Sequence, residues 1–260
     1  MLKLVLGIEY DGSAYCGWQR QSHSPSVQAE VEQALSYVAN KPVELVCAGR
    51  TDTAVHACEQ IAHFETDVER SNRSWLLGAN CRLPKNIRIL WVHPIALSFH
   101  ARFSAIARSY RFIIQNSPVP SALFHDKVCW EHCKLDDKVM HEAAQQLVGE
   151  HNFNAFRASG CQAKSPVRTI EYLNIVRCGE LLYLDIKANA FLHHMVRNLA
   201  GSLMSIGAGD HDANWLLQVL KSKDRRQAAK TAPAAGLYFV QAFYPDKFKL
   251  QQTERRPLLF

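Results

Sequence analysis

The sequence predicts an α+β fold built from two ferredoxin-like halves, and three observations predict it. Apolar side chains alternate from Leu2 to Tyr10, the period of a strand. Val27, Val31, Leu35 and Val38 then recur at helical spacing. The order strand, helix, strand, strand, helix, strand is complete by His93, and a similar order starts again beyond residue 106.

Leu2, Leu4, Leu6, Ile8 and Tyr10 alternate with Lys3, Val5, Gly7 and Glu9, which reads as a strand with one better buried face. Ser26 is placed to cap the helix that follows, where Gln28, Glu30, Glu32 and Gln33 fall mostly off the apolar stripe. Val43–Cys47 and Gln60–Phe64 read as short strands, and the connection between them holds Arg50 and Asp52. A helix near Ser74–Asn80 and a β-rich run, Ile87–His93, complete a first half spanning residues 1–106.

In the second half, residues 107–260, Ser109–Ile114 is expected as a strand and Asp136–Val148 as a helix closed by Gly149. Ile170–Arg177 and Leu181–Lys187 form a hairpin. Phe191–Ile206 reads as a long apolar helix, Asp212 caps another through Lys221, and Leu237–Phe243 is the last strand. The segments 115–134 and 149–168 exceed ordinary connection lengths, so they either contact a substrate or pack over the sheet.

The chain has 260 residues, with 30 Lys plus Arg against 24 Asp plus Glu, a bias that suits a polyanionic partner without requiring one. Lys3, Glu9 and Asp11 interrupt the N-terminal apolar run, so no signal peptide is expected. A cytoplasmic protein without a membrane segment follows as the expectation. The eight cysteines are scattered without a Cys-x-x-Cys pair and read as free thiols. Cys129, His132 and Cys133 crowd together but lack a second ligand pair, so no metal is expected.

Gly49-Arg50-Thr51-Asp52-Thr53-Ala54-Val55-His56-Ala57 sets one acid beside a base on a connection between apolar strands, where sites usually sit. Taken alone, Asp52 reads as a turn residue. As a string, these residues resemble the signature loop of the TruA-type tRNA pseudouridine synthases, whose common form has Gly at the place of Ala54. The resemblance continues in order through Tyr10-Asp11-Gly12, Gly17-Trp18-Gln19-Arg20-Gln21, Phe99–Ala105, Arg108–Arg111, Phe191–Asn198 and Gly236-Leu237-Tyr238. It implies a pseudouridine synthase fold in which both halves contribute to one antiparallel sheet. It also implies conversion of uridine to pseudouridine at positions 38 to 40 of the tRNA anticodon stem-loop, by a homodimer that needs no cofactor.

The resemblance implies that Asp52 is the nucleophile, that Tyr110 stacks on the target uracil and helps move a proton, and that Leu237 walls the pocket. From periodicity alone, Arg197 is the one formal charge in a largely buried helix and pairs with a carboxylate or with helix carbonyls; the resemblance assigns it Asp52. Arg50 is a candidate to fill the space left by a flipped base. Trp18 and Arg102 are further substrate-contact candidates. His56, His193 and His194 read as packing or supporting residues, with the two adjacent histidines on different sides of a helix. Lys221, Lys223, Arg225, Arg226 and Lys230 surround Asp224 as either a solvated helix end or a phosphate contact. Ala54 is expected at an ordinary φ, with the loop adapted to alanine. The rival reading is a non-catalytic tRNA-binding or RNA-folding protein of the same fold.

Overall fold

The computed structural model describes residues 1–250 and 255–257. Contacts divide the chain into two units: Met1–Ile106 together with the described residues from Tyr238 on, and Ala107–Leu237. The expected second half, 107–260, therefore contributes its final strand to the first unit.

In the first unit the order β1 (Leu2–Tyr10), α1 (Val27–Ala39), β2 (Val46–Cys47), β3 (His56–Thr66), α2 (Asn72–Asn80), β4 (Ile87–Pro94) follows the ferredoxin-like plan. β1 lies between β4 and β3, antiparallel to both. Its central place buries both faces: Leu4 through Ile8 are buried, and so is Lys3. The expectation of one better buried face is thus corrected. Lys3 tolerates burial because its ammonium donates to the carbonyls of Leu97 and Phe99 and pairs with Glu65 at 3.1 Å. At Gly7 an added Cβ would come within 2.6 Å of the Trp91 ring, so the strand needs glycine there.

β2 is shorter than the Val43–Cys47 run because its first residues are taken by α1. The Val43 N–H donates to Ser36 Oγ at 2.9 Å and the Leu45 N–H to Glu32 Oε1 at 2.9 Å. β3 is longer than Gln60–Phe64 and pairs with β1 along nearly its whole length. Buried polar residues Glu59, Gln60 and His63 break its apolar alternation. α1 is capped by Ser26, whose side chain accepts from the Ala29 N–H.

The second unit comprises β5 (Ala107–Asn116), β6 (Cys129–Glu131), α3 (Asp137–Gln145), β7 (Gly149–Asn152), β8 (Val167–Cys178), β9 (Leu181–Ala188), α4 (Met195–Gly207) and α5 (Trp215–Ser222). Its sheet runs β5-β9-β8-β7, antiparallel throughout, with β6 added in parallel along β5. Arg111 and Asp185 stand directly opposite on β5 and β9, forming a buried two-bond ion pair at 2.7 and 2.8 Å. Asp136 caps α3 by accepting from the Lys138 and Val139 N–H groups. Helix α3 ends at Gln145, and Gly149 opens β7 with φ +104 instead of closing a helix. The expected helix over Phe191–Ile206 begins only at Met195. The final strand, β10 (Leu237–Phe243), runs parallel to β3, with Tyr238 opposite His56. No helix among the described residues is long and apolar enough to cross a membrane.

Candidate active site

The segment 48–55 between β2 and β3 is fixed mainly by main-chain bonds. Ala48 N–H donates to Ile61 O at 2.8 Å, Trp18 N–H to Thr51 O at 3.0 Å, and Ala54 N–H to Tyr15 O at 3.2 Å. Gln60 Nε2 donates to Gly49 O, and the Tyr10 hydroxyl is bonded to Thr51 Oγ1 at 2.7 Å. The Tyr10–Trp18 stretch lies against this loop so closely that two of its glycines are obligatory. A Cβ on Gly12 would fall 2.0 Å from Val55 O. One on Gly17, which has φ +97, would lie 2.7 Å from Thr51 O. Thr51 is buried, Asp52 half-buried, and Arg50 and Thr53 exposed, so the carboxylate stands at the edge of a rigid platform.

Ala54 has φ +61, in the left-handed region. The expectation of an ordinary φ is overturned. The reason lies in the bonds on either side: the Ala54 N–H is tied to Tyr15 O, and the Val55 N–H turns back to Asp52 O at 3.2 Å. The chain therefore follows a path that glycine adopts freely, and alanine bears a strain of about 1 kcal/mol.

His56 supports the loop from below. It is 1 % exposed, accepts the Gly12 N–H at Nδ1, lies 3.1 Å from Asp11 Oδ1 and stacks on Tyr238 with ring centroids 4.7 Å apart. Trp18, expected to touch substrate, is also 1 % exposed, and its main chain holds Thr51. Just before the loop, burial pushes the Cys47 thiol up to about 12, which leaves it protonated and inert at neutral pH.

Arg102 is exposed on the Phe99–Ala105 segment, which is also firmly held. Ala101 N–H donates to His63 Nδ1 at 3.1 Å and the Tyr244 hydroxyl to Ala101 O at 2.7 Å. His100 Nδ1 accepts from the Arg102 and Phe103 N–H groups. Burial, with the charges of His100 and Lys3 nearby, pushes the His63 imidazole down to about 4, so it stays neutral as an acceptor.

In the second unit, Tyr110 is half-buried on β5 and meets the Phe191 ring edge to face at 4.9 Å. Arg197 lies in the first turn of α4. Its Nε donates to Ala232 O at 2.8 Å, while its own carbonyl accepts the Ala232 N–H at 3.1 Å. One turn on, Gly201 faces the same segment, where a Cβ would come within 2.0 Å of Lys230 O. Leu237 is buried at the start of β10.

His193 and His194 precede α4 instead of lying within it. The φ of +60 at His194 brings their rings to 4.0 Å, which corrects the expectation that they point to different sides of a helix. Of the basic cluster, Arg225 turns inward to Asn198 Oδ1 and Thr231 Oγ1, and Arg226 pairs with Asp224. Lys221, Lys223 and Lys230 remain exposed. Near β6, Glu131, His132 and Cys133 bring potential ligand atoms within 4.8 Å of one another. Glu131 Oε1 lies against His132 Nδ1 and Cys133 Sγ against Nε2, so the two neighbours engage opposite nitrogens of one ring. Sequence reasoning missed the supporting roles of Gly12 and Gly17, whose signal is close approach and not residue chemistry, and of Asn198, whose amide donates to Phe156 O and accepts from Arg225 and Thr231.

Comparison with known proteins gives a consistent result. The family described as tRNA pseudouridine synthase matches residues 7–104 and 143–245. A protein of Hydrogenovibrio crunogenus named tRNA pseudouridine synthase A is 54% identical over 260 residues, covering 100% of this chain and 99% of its own. Proteins with the same name from Methylococcus capsulatus and Photobacterium profundum are 53% and 51% identical, covering 96% and 99% of this chain and 92% and 98% of their own.

Proposed function

Because the chain belongs to the tRNA pseudouridine synthase family, we propose that it converts uridine to pseudouridine at positions 38 to 40 of the tRNA anticodon stem-loop, with Asp52 as nucleophile. The observation that carries this reading is the Asp52 loop itself, a signature string whose backbone is fixed by main-chain bonds and which carries half-buried Asp52 between exposed Arg50 and Thr53. Rigid placement of a reacting group is worth several orders of magnitude in rate.

The reaction breaks the N1–C1′ bond, turns the uracil and joins C5 to C1′; the C5 proton leaves and N1 gains one. No electrons enter or leave, so no cofactor is called for. Asp52 holds one fragment during the turn. Tyr110 stacks on the base and assists removal of the C5 proton, directly or by orienting another acceptor. Arg197 is proposed to pair with and aim the Asp52 carboxylate, and Leu237 to wall the base. Arg50 fills the space left when the uridine leaves its stack. Arg102 contacts the RNA, and Trp18 acts through the Thr51 main chain. The working form is a cytoplasmic homodimer with tRNA across both subunits. Ala54 does not favour the non-catalytic rival, since the loop keeps a path that glycine would take.

Replacing Asp52 by Asn or Ala tests the assignment. Pseudouridine formation in tRNA should fall by at least about three orders of magnitude while tRNA affinity stays within about tenfold. Comparable turnover in the Asn variant overturns the nucleophile, and binding without pseudouridine by the parent protein supports the RNA-binding rival.

A further inference from the structure

A second cationic feature lies on the segment 157–168, within the second unit. Arg157 and Arg168 flank this loop, and burial together with the nearby Arg157 charge disfavours the charged form of Arg168. Both are half-buried. Among the described residues, neither guanidinium is bonded to a carboxylate. Arg157 donates to the Cys161 carbonyl, and Arg168 Nη1 to the carbonyls of Ser165 and Val167. Arg168 Nε is buried and has no hydrogen-bond partner. An unmade bond at a buried charged donor is costly, and partial desolvation of the two guanidiniums adds to that cost.

The loop is held in this arrangement. The Ala158 N–H donates to His193 O at 3.0 Å, and the His193 N–H returns to Cys161 Sγ at 3.4 Å. The local field favours an anion. Although burial opposes it, the N–H groups of His193 and Ala163 and the charge of Arg157 hold the Cys161 thiol below its ordinary range. Lys164, exposed on the same loop, adds a further positive charge.

We propose that Arg157 and Arg168 form a phosphodiester-binding site that grips the backbone of the RNA substrate. A phosphodiester that draws the Arg168 side chain outward satisfies its Nε donor and neutralises the guanidinium charge at once, which a neutral ligand cannot do. The site positions RNA and takes no part in the chemical step. In taking RNA as the ligand, the assignment rests on the function proposed above.

The test measures tRNA binding by the full chain across a range of salt concentrations, for the parent and for Arg168→Gln and Arg157→Gln. Glutamine keeps an N–H donor for the loop carbonyls but removes the charge. Each variant should lose several-fold in affinity, and the slope of log K against log salt should become shallower by roughly 0.7–0.9 for each phosphate that is no longer neutralised. KM for tRNA should rise with kcat unchanged, a split that mere loosening of the loop would not produce. If Arg168→Gln does not fold, Arg157→Gln and Arg168→Lys carry the same test, with Lys expected to retain the salt slope. An unchanged slope and KM in the folded glutamine variants overturn the proposal. Stabilisation of the parent by inorganic phosphate, absent in Arg168→Gln and accompanied by an unchanged RNA slope, assigns a free-anion site and also overturns it. Because the slope is read from binding, it decides this site even where no pseudouridine forms, a result that would sink the function and leave the site standing.

Discussion

The loops at 48–55 and 157–168 both present charged side chains, yet they are held in different ways. Around Asp52 the neighbouring chain lies so close that Gly12 and Gly17 admit no Cβ. Around Arg157 and Arg168 the loop is bridged by a few bonds, and at Gly160 an added Cβ would meet nothing within 4 Å. The first arrangement fixes a single group in position, as a covalent step requires. The second fixes charge in a neighbourhood, which suffices for gripping a polymer backbone.

The largest expected effect comes from breaking the tight loop. Gly12→Ala forces Val55 and its neighbours to move and should lower stability by more than about 2 kcal/mol, with turnover falling about 100-fold or more. Thermal melting and pseudouridine yield measure both. A variant that melts and turns over like the parent would show that the loop yields easily and that the contrast is false.

The segment carrying Arg102 gives a smaller effect that depends on pH. Unfolded histidine titrates near about 6.5, whereas folded His63 stays neutral down to about 4. Between these values the unfolded chain binds the proton and the folded one does not. His63 therefore leaves stability intact above the upper value and reduces it as pH falls toward the lower, by on the order of 2 kcal/mol. His63→Asn, which keeps an acceptor for the Ala101 N–H, should flatten the melting-temperature profile across that window. Parallel profiles would remove His63 as the cause.

Relief of strain is smaller still. Ala54→Gly should raise stability by roughly 0.5–1 kcal/mol, because the left-handed φ at this position is one that glycine adopts freely. Turnover should change little. Destabilisation by the glycine would mean that the alanine sits without strain. The smallest effect belongs to the open loop, where Gly160→Ala should shift stability by less than about 0.5 kcal/mol. A large loss there would erase the difference between the two loops.

Much of the fold was legible because local pattern and tertiary environment agree. The span of the Leu2–Tyr10 strand, the Ser26 cap and the hairpin at Cys178–Leu181 all took their expected form. Other bounds were not legible. Phe191 and Leu192 continue the apolar rhythm of α4, but Phe191 packs on Tyr110 from a loop, and burial alone does not distinguish the two. Gly149–Asn152 pairs only at the edge of its sheet and has no apolar alternation to announce it. At the candidate site, the residue types on the Asp52 loop could be read directly. The turn at Ala54 could not, because it is set by partners at Tyr15 and Asp52 rather than by alanine itself.

The buried Arg111–Asp185 pair has a consequence for how the second unit assembles. These residues face each other on neighbouring strands, and a slip of one position would turn one of them to the opposite face of the sheet. Each charge would then be stranded without its counterpart, a state several kcal/mol worse than the matched one. The pair works as a key cut for one alignment, so a chain that zips its strands out of step is returned to try again instead of settling into a near miss.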